Sequence, residues 1–132
     1  MRVEAAVVLA VALGSALGGT ARHLLSGAVA RALGESFPWG ILVVNVLGSS
    51  LIGLVAAVTG PAGRLLVGPA TRHFWMAGIF GGFTTFSSFS LQTLSLAQDG
   101  EWLRAALNVL LSVSLCLLGV FLGAALGASL NR

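Results

Sequence analysis

The sequence predicts an all-α membrane protein with four transmembrane helices per subunit, in a single domain spanning residues 1–132. Hydrophobic residues make up 57% of the 132 positions and charged residues only 8%, whereas a soluble domain carries roughly 25% charge. Mean hydropathy is +0.99. Because one crossing needs about 20 apolar residues, the chain has room for four crossings and for no separate soluble domain.

Polar breaks separate four apolar stretches, which run over about residues 3–25, 39–58, 74–96 and 103–130. Pro38 suits the start of the second helix, where a missing N–H costs nothing. Trp39, Trp75 and Trp102 fall at the starts of three predicted spans, where membrane proteins place aromatic belts. The first stretch also resembles a signal peptide after Met1, but its apolar run is longer than a typical signal core. We expect it to stay as the first helix.

Small residues line one face of the first helix and one face of the last. Gly14 and Gly18 are four residues apart, as are Gly119, Gly123 and Gly127. Such faces let helix backbones approach closely in lipid, and we expect them to pack helices within the subunit. Four helices are too few to pack a core and also enclose a pore, so a conducting pathway here requires a partner subunit.

The cysteine, the histidines and the arginines argue against several classes of protein. Cys116 is the only cysteine, so it has no partner for a disulfide or a zinc site. His23 and His73 lie far apart in the sequence, without the spacing typical of metal ligands. We therefore do not expect an enzyme. The seven arginines form no basic stripe for nucleic acid, and they divide almost evenly between the two sides of the membrane. The positive-inside rule then allows both orientations, and with them an antiparallel homodimer.

The third span has the most unusual composition. Eight polar side chains fall within one crossing, at positions 84, 85, 87, 88, 90, 92, 93 and 95. Gly78, Gly81 and Gly82 predict an interruption of the helix, which would leave carbonyl oxygens without helix partners. Irregular backbone at membrane depth is tolerated only where it is buried in protein or lines a wet cavity. Freed carbonyl oxygens coordinate alkali cations in the broken helices of transporters.

Phe86 and Phe89 lie about one helical turn apart. An aromatic ring is negative on its face and positive at its edge, so rings presented edge-on could solvate an anion. Ordinary packing is the alternative for this pair. Both interpretations remain open at the level of the residues alone.

Polar groups on the other spans also need partners. Asn45, midway along the second span, predicts either an interhelical hydrogen bond or a donor to an anion. Asn108, Ser112 and Cys116 share one face of the last helix and favour a water-accessible track over bonding back to the preceding turn. Arg22 is expected to snorkel to the interface, with attraction of anions as the alternative.

At these residues the chain resembles the Fluc/CrcB family of fluoride channels. The similarity covers nearly the whole chain and includes three motifs: Gly18-Gly19-Thr20-Ala21-Arg22, Val44-Asn45-Val46-Leu47-Gly48 after Pro38-Trp39-Gly40, and Gly81-Gly82-Phe83-Thr84-Thr85-Phe86-Ser87-Ser88-Phe89. The resemblance implies a dual-topology antiparallel homodimer with two pores in the inner (plasma) membrane. Such a protein passes fluoride passively out of the cell and relieves fluoride toxicity.

The resemblance also implies roles for individual residues. Backbone carbonyls of Gly81 and Thr84 would hold a sodium ion at the dimer centre. The fluoride pathway would use an aromatic pair, a pore-facing amide, a vestibule arginine and a polar track, which map to Phe86, Phe89, Asn45, Arg22 and Ser112. Asn108 stands where a tyrosine is expected, and Ile41 where many relatives carry threonine.

The chemistry of fluoride fits these residues. Fluoride is small and strongly hydrated, so a pore must replace water with many donors. Hydroxyls of Ser88 and Ser112 and the Asn45 amide could supply them, without a fixed charge that would hold the ion too tightly. Two alternatives remain: a non-conducting accessory subunit, and a small-multidrug-type coupled transporter. The second needs an acid within the membrane, and all four carboxylates map to ends or loops.

Overall fold

The computed structural model describes residues 1–132 and contains helices but no strands. In chain order the elements are α1 (Arg2–Leu33), α2 (Trp39–Val58), α3 (Pro69–His73), a π-helix (Phe74–Phe80), α4 (Gly81–Phe83), α5 (Phe86–Gln98) and α6 (Trp102–Leu130).

Three of these helices, α1, α2 and α6, are long and apolar enough to cross a membrane. The predicted all-α membrane class is therefore confirmed. The predicted third span is not among the three, because residues 69–98 are divided into shorter helical pieces.

The first helix is longer than the sequence analysis expected. It continues past residue 25 to Leu33 and ends at Gly34, whose φ is 87°. Ser26 and Gly27 do not end it, since neither fixes a non-helical backbone and alanines follow. The first residue with a positive φ is Gly34, which adopts it at no steric cost because it has no Cβ.

Glycines set the closest helix packing. A Cβ on Gly123 would collide with the carbonyl oxygen of Ser50, and one on Gly119 would lie 2.6 Å from the Ser50 hydroxyl. Between α1 and the π-helix, a Cβ on Gly78 would lie 2.9 Å from the Cα of Gly14. The small-residue faces of the first and last helices therefore pack within the subunit, as predicted.

The glycines of the third stretch are helical. Gly78 lies in the π-helix and Gly81 in α4, where Gly81 has φ −64° and ψ −39°. The extended residues follow them: Thr84 (φ −85°, ψ 157°) and Thr85 (φ −153°, ψ 116°). We call these two residues the break.

Candidate functional site

The break removes two backbone carbonyls from the helical hydrogen-bond pattern. In a continuous helix the Thr85 N–H would bond to Gly81 O, and the Ser88 N–H to Thr84 O. Here Thr85 N donates to Asn45 Oδ1 at 2.8 Å, and Ser88 N donates to Thr85 Oγ1 at 3.2 Å. The oxygens of Gly81 and Thr84 thereby lose their helix partners.

Asn45 of α2 restores the hydrogen bonds of Thr85. Its Nδ2 donates to Thr85 O at 3.0 Å, while its Oδ1 accepts from Thr85 N. The interhelical hydrogen bond considered for this amide is therefore present. Since an amide nitrogen carries two hydrogens, one donor of Asn45 is left for another partner.

A crevice of about 350 Å³ opens beside the break, between α2, α5 and α6. It contains no Asp, Glu, Lys, Arg or His. Its walls are Asn45, Gly48, Ser49, Ile52, Phe80, Thr84, Thr85, Phe86, Phe89, Ser112, Val113, Cys116 and Leu117. The fold thus brings Asn45, Phe86, Phe89 and Ser112 to one uncharged cavity, whereas Ser88 and Arg22 do not line it.

Phe86 and Phe89 form a contacting aromatic pair on one wall of the crevice. Their ring centroids are 5.2 Å apart and the rings are tilted by 53°, within the range of favourable aromatic pairs. Phe89 is buried, but Phe86 is 76% exposed. Phe86 therefore faces outward from the single chain.

Asn108 does not line the crevice, in contrast to Ser112 and Cys116 on the same face. It is 2% exposed, and its Nδ2 donates to Thr93 Oγ1 at 2.9 Å. The Thr93 hydroxyl in turn donates to Phe89 O at 2.8 Å. The expected polar track is therefore divided: Ser112 and Cys116 face the cavity, while Asn108 ties α6 to the helix that carries Phe89.

Arg22 of α1 contacts the break. Its Nη1 donates to Thr84 O at 3.1 Å, and the residue is partly buried. The guanidinium therefore occupies one of the two carbonyls that the break releases. Ser88 lies close by, and its hydroxyl accepts from Thr85 Oγ1 at 3.2 Å.

Thr85 has two roles in the site that were not predicted from the sequence. Its side chain caps α5 by accepting from Ser88 N, and its backbone is the partner of Asn45. A threonine directly before an apolar periodic run is a known helix-start signal, so the sequence did contain a clue to this role.

A second cavity, of about 500 Å³, lies where α1 ends, α2 begins and α5 ends. His23, Glu35 and Asp99 line it together with Ile41, and no three such side chains come close enough to hold a metal ion. Gln92 also lines it, and its buried Oε1 has no hydrogen-bond partner. These ionisable groups thus lie outside the crevice.

Three membrane-length helices and an uncharged crevice beside a broken helix define a multi-pass membrane transport protein. The model of a family described as CrcB-like protein, Camphor Resistance (CrcB), matches residues 9–124. The chain belongs to this CrcB family, which confirms the resemblance found in the motifs.

Relatives match this chain over most of its length. It is 58% identical over 123 residues to a protein of Opitutus terrae, covering 93% of each chain. It is 59% identical over 122 residues to one of Paramagnetospirillum magneticum, covering 92% of this chain and 95% of that protein. A third relative, from Rhodospirillum rubrum, is 59% identical over 115 residues, covering 87% of this chain and 89% of that protein. Each is named fluoride-specific ion channel FluC.

Proposed function

We propose that this protein is a fluoride-selective ion channel that exports fluoride passively across the cell membrane and so relieves fluoride toxicity. The observation that carries the proposal is the uncharged crevice at the break, where the Asn45 amide, the Ser112 hydroxyl and the phenylalanine pair meet. The names of the relatives supply the identity of the ion.

The crevice suits a small anion. The free Nδ2 hydrogen of Asn45 is a neutral donor, and the edges of Phe86 and Phe89 are positive. The Ser112 hydroxyl donates to Asn108 Oδ1 at 3.4 Å, and it becomes a second neutral donor when it rotates toward the crevice. Neutral donors replace water around fluoride without the strong attraction of a fixed charge, so the ion can leave again. The crevice also contains no carboxylate, which disfavours a proton-coupled carrier.

Residues 69–98 form the third of four crossings in this proposal, interrupted at the break. The working unit is an antiparallel homodimer with both orientations in the membrane. Phe86 lines the crevice and is nevertheless 76% exposed on a single chain, and a second copy would cover it and complete the walls of two pores. The nearly even distribution of arginines permits the opposed insertion.

A sodium ion at the dimer centre fits the donor set at Gly81 and Thr84. Both carbonyl oxygens lack their helix partners because of the hydrogen bonds at Thr85 and Ser88, and such oxygens are ligands for alkali cations. One chain offers two of them, so a second copy is needed to surround the ion. When bound, the cation would supply the positive charge that holds the two breaks together.

Fluoride efflux from liposomes tests the channel. Purified protein is reconstituted, potassium flux through valinomycin dissipates the potential, and an electrode follows fluoride while a parallel assay follows chloride. We expect rapid fluoride efflux with chloride retained. No efflux from folded, dimeric protein would favour an accessory subunit, and slow, saturable, proton-linked efflux would favour a carrier.

A further inference from the structure

The Thr84 carbonyl oxygen already has a positively charged partner within its own chain. Arg22 Nη1 lies 3.1 Å from it, across 62 residues of sequence. The oxygen is available because Ser88 N–H bonds to the Thr85 hydroxyl instead. A guanidinium therefore occupies one of the oxygens that we assign to sodium.

No carboxylate compensates this charge. The ion pairs of the structure join the N-terminus to Glu4 and Arg104 to Glu101, and neither involves Arg22. A guanidinium carries a full positive charge in proteins. A sodium ion on Thr84 O would thus lie close to an uncompensated positive charge.

We propose that Arg22 competes with sodium at the break. Its guanidinium holds the Thr84 carbonyl when sodium is absent, and it weakens sodium binding by like-charge repulsion when sodium enters. Arg22 then sets the sodium concentration at which the dimer centre fills. This inference rests on the sodium site of the proposed function, and it assigns Arg22 a role at that site besides any attraction of anions.

Two linked effects follow from replacing Arg22 by a neutral residue. Without sodium, the Arg22→Gln protein loses the internal cation on Thr84 O and unfolds at a lower temperature. With sodium, the ion binds more tightly and stabilises the protein more, because stabilisation grows with the ratio of ligand concentration to its dissociation constant. A purely structural arginine would give the first effect without the second.

The test is a sodium titration of thermal unfolding, on full-length protein in detergent. N-methylglucamine replaces sodium at constant ionic strength, and tryptophan fluorescence reports unfolding. For Arg22→Gln we expect the half-saturating sodium concentration to fall about tenfold. Arg22→Lys keeps the charge and should stay near the wild type. Arg31→Gln is the matched control, since it removes one charge from the same helix, where Arg31 lies in the last turn.

Each possible result of the sodium titration either supports or contradicts competition between Arg22 and sodium. Recovery of folded Arg22→Gln only in sodium would support it, as would the expected shift. An unchanged or raised half-saturating concentration would overturn it, as would an equal shift in Arg31→Gln or Arg22→Lys, or a variant that fails to fold in either buffer. A wild type that gains no stability from sodium would overturn both the inference and the sodium site. Fluoride efflux is measured separately and would still test the channel.

Discussion

The interface between α2 and α6 and the break are built in opposite ways. Between α2 and α6, glycines remove side chains so that backbones touch: a Cβ on Gly123 would collide with Ser50 O, and one on Gly53 with Val120 O. At the break, side chains from other helices supply hydrogen bonds that the backbone has lost. Asn45 reaches Thr85 from α2, and Arg22 reaches Thr84 from α1.

The interface between α2 and α6 therefore contributes to stability, whereas the break contains the polar groups that we assign to ion binding. A glycine interface keeps every backbone bond inside its own helix and offers no group to an ion. Beside the break, the Asn45 amide and the rings of Phe86 and Phe89 line one crevice. Irregular backbone is tolerated within a membrane only when protein groups satisfy it, and Asn45 both bonds to the break and lines the crevice that we assign to the ion.

The largest effect is expected at the glycine interface. Gly123→Ala places a methyl group against Ser50 O, and overpacking of this kind should cost about 3 kcal/mol of unfolding free energy. Thermal unfolding in detergent and the yield of monodisperse protein measure it. Gly68→Ala is the control, because a Cβ there meets nothing within 4 Å. Equal stability of the two variants would contradict the close packing of α2 and α6.

Asn45→Leu tests the hydrogen bonds that the Asn45 side chain makes to the backbone of the break. It removes both hydrogen bonds to Thr85 and strands a backbone N–H, which should cost about 2 kcal/mol. Fluoride efflux should fall as well, since the crevice loses an amide donor. Ser50→Ala is the control on the same helix, because its hydroxyl bonds only to Val46 O. Full stability and full efflux in Asn45→Leu would show that the amide is dispensable.

A smaller effect is expected where Asn108 joins α6 to α5. A double-mutant cycle of Asn108→Leu with Thr93→Val isolates the 2.9 Å hydrogen bond between them. We expect a coupling free energy of about 0.6 kcal/mol, as for other hydrogen bonds between membrane helices. Additive losses of stability would mean that the contact contributes nothing to the pairing of α5 with α6.

Sequence patterns predicted the helices and the residues of the crevice better than they predicted its hydrogen bonds. Trp39 and Trp102 begin helices as expected, because aromatic and apolar patterns are local. The pairing of Asn45 with Thr85 joins residues 40 apart, and no periodicity specifies such a contact. The same holds for Arg22, whose partner is a backbone oxygen on another element.

The glycines of the third stretch show a second limit. They were expected to interrupt the helix, yet Gly78 and Gly82 are helical and give room to Gly14 and Ser15 of α1. The extended residues are Thr84, whose carbonyl accepts from Arg22, and Thr85, which Asn45 holds. A glycine permits either an open backbone or a close approach, and only the neighbouring helix decides between them.

The most direct test of the proposed ion pathway is fluoride efflux from liposomes that carry the double variant Phe86→Ile/Phe89→Ile. Phe121→Ile is the control, because Phe121 is 72% exposed on α6 and lies outside the crevice. We expect the double variant to remain a folded dimer but to lose fluoride efflux, while Phe121→Ile keeps it. Wild-type efflux from the double variant would contradict the assignment of the aromatic pair to the ion pathway.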